Sequence, residues 1–170
     1  MGDLRTVDAL SEERNSTAAD IVVTLVGTVP NGDKLCGLAF RKASPASAYA
    51  VVAAKYVGQY GDCFSHEVGH IFGADHDVTN VSSPPPFSYD HGLQYMPSDT
   101  ALSGCFRTIM AYYFECKSGQ LVEINHLSNP SVSYTLNTAH VASTGNDATA
   151  NNARVLNERA AIVAAFRPLP

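Results

Sequence analysis

No apolar run in this 170-residue chain approaches twenty residues, so no segment reads as a helical membrane span. Clustered cations are scarce as well: no group exceeds the pair Arg41-Lys42, and the net charge is -5. That argues against nucleic acid as a main partner, because phosphate contacts need grouped Lys and Arg. Charged residues are only 16% of the chain against 45% hydrophobic. This is a globular composition, long enough for one domain with a core or two small lobes sharing one. Internal repeats and low-complexity tracts are absent. The opening MGDLRTVDALSEE lacks the basic-then-apolar order of an export signal, so the protein is either intracellular or trimmed of that segment. Cysteines are few but even in number. Four fit two disulfides of an oxidising compartment, or four reduced buried thiols.

Residues 3–18 carry apolar groups at helical spacing (Leu4, Val7, Ala9, Leu10) without proline or interior glycine, which predicts a helix ending before Asp20. IVVTLVG (21–27) is a β-branched strand closed by Pro30-Asn31-Gly32-Asp33, and CGLAF (36–40) and YAVVAAKY (49–56) read as second and third strands. A helical pattern runs from Val57 to Phe72, with Gly73 as its stop signal. Four prolines and many serines between 77 and 106 predict irregular structure, and LVEINHLSNPSVSY (121–134) is turn-rich. The closing stretch reads as a helix capped by Asp147 or Thr149, with Val155, Leu156, Ile162, Val163 and Phe166 as its apolar face and Pro168 as its end. Regular elements therefore fill residues 1–75, and loops plus one helix fill 76–170.

At that seam stands HEVGHIFGADHD, residues 66–77. On a helix, residues i and i+4 share one face, so His66 and His70 can offer two imidazole nitrogens to one ion, at the roughly 2.0–2.1 Å that zinc takes. Glu67 is rotated off that face by one residue, near enough to act as general base without being a ligand. A third ligand must come from beyond the helix. Gly73 can enter the left-handed conformation cheaply and swing His76 back. Three neutral histidines with one open position make a catalytic zinc site, whereas structural sites are closed by four protein ligands. With six histidines and twelve glycines in the chain, multiplied residue frequencies give the full pattern a chance of about one in 10^5.

The dodecamer resembles the signature of the metzincin zinc endopeptidases, and Thr108-Ile109-Met110-Ala111-Tyr112 resembles their Met-turn. Asp77 distinguishes branches. Astacin-like chains usually carry Glu there and serralysin-like chains Pro, whereas Asp looks like the reprolysin (adamalysin) branch and small bacterial enzymes such as snapalysin. With CGLAF, TIMAY and NARVLNERAAIVAAFR, the chain is most similar to bacterial enzymes of the peptidyl-Asp metalloendopeptidase type.

The resemblance implies an α/β (α+β) zincin fold. Its N-terminal lobe (1–75) would hold two helices and a twisted, mostly parallel sheet with an antiparallel edge strand. Its C-terminal lobe (76–170) would be irregular, with the Met-turn and a C-terminal helix. The whole of 1–170 would be a single catalytic domain using one zinc ion. Families of this kind start with a strand and a long helix after a signal and an inhibitory propeptide, so the first strand, propeptide and signal are expected to be missing here. Met110 would floor the three imidazoles, which is hardly distinct from ordinary core packing. Asp77 would be either an acceptor fixing the loop behind His76 or a solvated surface acid. Tyr112 would be either a donor to developing charge or a core residue.

Tyr49, Ala50, Val51, Val52 and Ala53 match the family's edge strand, on which extended substrates lie as an added strand. Selectivity would come from the pocket beyond the zinc, walled by residues after Tyr112 and by 121–134. A preference for Asp there needs a cation, and Arg107, Lys117 and His126 are all candidates. Cys105 and Cys116 bracket the Met-turn. Pairing them leaves Cys36 with Cys63, the preferred one of three connectivities. The expected protein is secreted and monomeric, acts on proteins or peptides, and has a propeptide or protein inhibitor as a further partner; neither nucleic acid nor membrane is expected. His91, His126 and His140 lack ligand spacing and read as surface or satisfied polar residues. Two rivals stand beside this reading: an inactive zinc-binding or interaction module on the same fold, and a non-metzincin hydrolase whose third ligand is Glu115 or Glu123.

Overall fold

Four of the five residues Val22–Val26 are β-branched and form a strand, β1. In the computed structural model, residues 4–29, 35–57, 62–81, 86–99, 102–137 and 140–168 are described; the turn read at 30–33 lies outside them. The first helix, α1, spans Leu4–Ser16. Its Arg14 is buried and ties the helix to the following chain, donating to the carbonyls of Ala19 (2.9 Å) and Pro45 (2.8 Å) and to that of Asp20.

β2 is Gly37–Ala39 and β3 is Tyr49–Ala53. Strand order is β1-β3-β2, with β3 parallel to β1 (Val22 opposite Tyr49, Val26 opposite Ala53) and antiparallel to β2 (Gly37 opposite Val52). Two expectations change here. With one parallel and one antiparallel pairing, the sheet is mixed, not mostly parallel. Tyr49–Ala53 is the central strand, hydrogen-bonded on both sides, so its backbone has no free edge for a substrate. The antiparallel edge is β2. The third strand also stops at Ala53, and Ala54–Tyr56 form a single 3-10 turn.

The helix expected from Val57 begins at Cys63 instead, because Asp62 is its N-cap. Val57 itself is extended, with φ -73° and ψ 121°. This helix, α2 (Cys63–Phe72), is held against the sheet by a disulfide from Cys36, beside β2, to its first residue Cys63. A second disulfide joins Cys105 to Cys116. Behind α2 the core is made of Ala48, Ala50, Ile71, Val163 and Phe166, and a fully buried side chain such as Ile71 contributes roughly 1.5–3 kcal/mol.

The second half is less irregular than its composition suggests. β4 (Gln94–Tyr95), β5 (Cys105–Arg107) and β6 (Leu121–Glu123) form one small sheet in the order β4-β5-β6, and β7 (Ser133–Asn137) pairs with β8 (His140–Ser143). The last helix, α3 (Asn152–Val163), packs on α2. Its cap is Asn151, which accepts from the Arg154 amide at 3.1 Å, and not Asp147 or Thr149. Those two sit in a preceding turn, where Asn146 Oδ1 accepts from Thr149 N at 2.8 Å. The buried stripe of α3 is Val155, Arg159 and Val163, so Ile162 is 52% exposed. Arg159 belongs to that stripe because it donates to the Ala43 carbonyl at 2.8 Å.

Candidate metal centre and active site

Local rules shape α2 at both ends. Asp62 caps the start, its carboxylate accepting from the Ser65 amide at 3.4 Å and from the Ser65 hydroxyl. Gly73 ends it in the left-handed region at φ 106°, where its amide reaches back to the carbonyls of Gly69 (3.0 Å) and His70 (2.9 Å). The reversal sends Ala74, Asp75 and His76 back toward the helix face that carries His66 and His70.

The three rings converge through their Nε2 atoms. His76 Nε2 lies 3.3 Å from that of His66 and 3.2 Å from that of His70. Two nitrogens bound to one tetrahedral zinc stand about 3.3–3.4 Å apart. His66 Nδ1 donates to the Ile109 carbonyl and His70 Nδ1 to the Ala74 carbonyl, both at 2.9 Å. In the neutral rings this leaves both Nε2 atoms as bare lone pairs. His76 hydrogen-bonds to the Asn80 backbone, and one proton on its Nε2 could serve only one of the two facing lone pairs. Burial keeps the rings neutral, lowering His66 to about 4 and His70 to about 3, and lowering His76 as well. Converging lone pairs on neutral, ordered imidazoles fit a divalent cation. With His76 in this position, the readings that made Glu115 or Glu123 the third ligand are corrected. Glu123 is ion-paired with Arg107, and Glu115 is exposed.

Glu67 is 4% exposed and lines the same cleft as the three histidines, a cavity of about 650 Å³. Burial raises its carboxyl to about 7. What the sequence reading missed is the residue that makes room for it. A Cβ on Gly37 would stand 2.6 Å from Glu67 Cγ, 2.8 Å from its Oε1 and 2.7 Å from the Val51 carbonyl oxygen. The only available signal was a glycine inside a strand pattern, which marks close backbone approach. Gly37→Ala is expected to keep zinc yet lose about 10²-fold in kcat, the cost of a ~1 Å misplacement. Peptide turnover measured beside zinc content checks this, and wild-type turnover would count against it.

Asp77 is buried and accepts from Thr79 N (3.2 Å), Thr79 Oγ1 (2.6 Å), Asn80 Nδ2 (2.8 Å) and the Tyr112 amide (2.9 Å). It therefore joins the loop behind His76 to the Met110 loop. Those hydrogen bonds, outweighing burial, hold its carboxyl below the usual range. Met110 is fully buried with Ala74 and Ile109, and a Cβ on Gly69 would meet its sulfur at 2.9 Å. Tyr112 is 43% exposed, with its ring centroid 4.2 Å from that of His76. Tyr49–Ala53, one strand further back, contributes none of the residues lining the cleft, whereas β2 contributes Gly37, Leu38 and Ala39.

His91 is a second residue whose position could not be read from spacing. It is 5% exposed, and its Nδ1 donates to the carbonyl of His76 at 2.9 Å. Ser128 Oγ holds the His91 carbonyl at 2.7 Å and accepts from the Asn152 amide at 2.8 Å, so the start of α3 supports the third ligand's loop. His126 is exposed, and His140 Nε2 pairs with the Tyr95 hydroxyl at 2.6 Å.

Comparison with known proteins agrees with this geometry. The chain is 39% identical over 168 residues to a protein of Stenotrophomonas maltophilia (strain K279a) named peptidyl-Asp metalloendopeptidase, covering 95% of this chain and 35% of that one. A protein of the same name from Xanthomonas campestris pv. campestris is 36% identical over 167 residues, covering 95% and 34%. One from Pseudomonas fragi is 36% identical over 104 residues, covering 61% and 58%. The chain thus spans about a third of the length of the first two relatives. A solved chain described as "Structure of a chaperone-substrate complex" shares the fold at TM-score 0.61 and 22% identity, over 95% of this chain and 25% of that one. The profile of metallo-peptidase family M12 matches residues 2–122, and the chain belongs to that family.

Proposed function

We propose that this chain is a zinc endopeptidase domain of the HExxHxxGxxHD type, with residues 1–75 and 76–170 as its two lobes. The observation that carries the reading is the convergence of three Nε2 atoms, those of His66 and His70 lying 3.3 and 3.2 Å from that of His76, at the wall of a cleft that also holds Glu67. His66, His70 and His76 would hold a zinc ion, which when bound would supply Lewis acidity for the scissile carbonyl and for the attacking water. Glu67 does the proton work. Its carboxylate takes the proton from the attacking water and delivers it to the leaving amine. The Tyr112 hydroxyl donates a hydrogen bond to charge developing on the carbonyl oxygen. Gly73, Asp77 and Met110 keep the ligands and the loop beneath them in register.

The substrate adds as a strand to β2. That strand is paired only with β3 among the described residues and lines the cleft with Gly37–Ala39. Two disulfides support a secreted location. The name of the relatives, peptidyl-Asp metalloendopeptidase, supports a cut beside aspartate. Digestion of casein by the purified chain, abolished by a chelator and restored by stoichiometric zinc, is the expected result. Zinc binding without any digestion would instead identify an inactive binding module on this fold.

A further inference from the structure

The cleft holds an ion pair for which peptide-bond hydrolysis has no need. Arg107 ends β5 and Glu123 ends β6, and the two stand directly opposite in the parallel register. The Arg107 Nη2 donates to Glu123 Oε2 and its Nη1 to the Ala111 carbonyl. Both residues line the cleft together with His66 and Glu67. Their side chains are 21% and 16% exposed, so the pair is largely desolvated. A pair kept for the fold alone should satisfy its remaining atoms, since burying charge is otherwise costly. Here it does not: Glu123 Oε1 is buried without a hydrogen-bond partner. On the other side, these two hydrogen bonds use one donor on each of two nitrogens, of the five a guanidinium carries.

Lys117 and His126, the other candidate cations, and Arg41 are placed differently. Lys117 and His126 are exposed and do not line the cleft. Arg41 does line it, but is ion-paired with Asp75, whose other oxygen accepts from the His76 amide at 2.8 Å.

We propose that Arg107 is the specificity-determining residue of this cleft: it binds a carboxylate side chain of the substrate beside the scissile bond, while Glu123 is the resident carboxylate that aims the guanidinium and moderates that preference. The inference rests on the endopeptidase reading above. Its chemistry is bidentate pairing of a planar guanidinium with a second carboxylate, for which a lysine would be a poor substitute. Because the protein's own carboxylate already offsets the arginine, the cleft selects an acidic side chain without also holding the acidic product tightly.

The test uses two fluorogenic peptides that are uncharged except at one position, occupied by Asp or by isosteric Asn, with casein as a general substrate and mass spectrometry to locate the cut. The zinc-loaded wild type is expected to prefer the Asp peptide by roughly 10- to 100-fold in kcat/KM, the range for hydrogen bonds to a charged partner. Arg107→Gln should bring the ratio close to one. Glu123→Gln keeps an oxygen to orient the guanidinium but removes the competing charge, so the ratio should rise several-fold. An Arg107→Gln protein with wild-type circular dichroism and an unchanged ratio overturns the proposal. So does a Glu123→Gln ratio that is unchanged or lower, and this arm decides alone should the arginine variant fail to fold. Failure to digest even casein would defeat the endopeptidase reading itself, whereas equal cleavage of both peptides would defeat only the role given to Arg107.

Discussion

Glu67→Gln is expected to bind zinc as the wild type does and to lose roughly 10²- to 10⁴-fold in kcat, the usual contribution of a positioned general base. Glutamine preserves the side-chain volume, so the tight contact with Gly37 survives. The loss would then report chemistry and not packing. Glu67→Ala should lose turnover similarly, and each of the three His→Ala changes should lose zinc as well. Zinc stoichiometry by mass spectrometry, read beside peptide turnover, separates the two classes. Wild-type turnover by a zinc-loaded Glu67→Gln protein would remove this residue from the mechanism.

The parts of the site that could be read in the sequence are those set by short-range geometry. His66 and His70 share a face because an α-helix repeats every 3.6 residues, and Gly73 reverses the chain because a left-handed residue without a Cβ meets no clash. Neither fact depends on the rest of the fold. Strand order does. Tyr49–Ala53 is a continuous apolar run whether it lies at the edge or in the centre, and only pairing with Val22–Val26 on one side and Gly37–Ala39 on the other decides. The consequence is functional, because it moves the open edge to β2. Similarly, the role of His91 depends on a contact with a carbonyl fifteen positions away. α3 shows the same limit from another side. Its inward stripe includes Arg159, whose Nη2 finds the Ala43 carbonyl far along the chain, and an apolar pattern count cannot anticipate an inward-facing arginine. The choice of cap is local, but Asp147, Thr149 and Asn151 compete within five positions, and the turn at Asn146 decides among them.

Zinc is expected to raise the thermal midpoint at pH 7.5, and the shift should shrink as the solution is acidified. An ion that binds only the folded chain stabilises it by about 4 kcal/mol at a thousandfold excess over its dissociation constant, which is roughly 8–16 °C for a domain of this size. The pH dependence follows from the imidazoles. Burial lowers His66 to about 4 and His70 to about 3, whereas in the unfolded chain both titrate near about 6.5. Below pH ~6.5 the unfolded state therefore binds protons that the folded state refuses, and stability falls as pH drops through that window toward about 3–4. Zinc demands the same unprotonated nitrogens, so acid weakens its binding as well as the apo fold. His76→Ala should leave a zinc-induced shift of only a small fraction of the wild-type value at pH 7.5, since two imidazoles from one helix face cannot close the shell. Differential scanning calorimetry with and without zinc at pH 7.5 and pH 5 measures both effects. A midpoint indifferent to zinc at pH 7.5 would mean that the three converging nitrogens hold no metal.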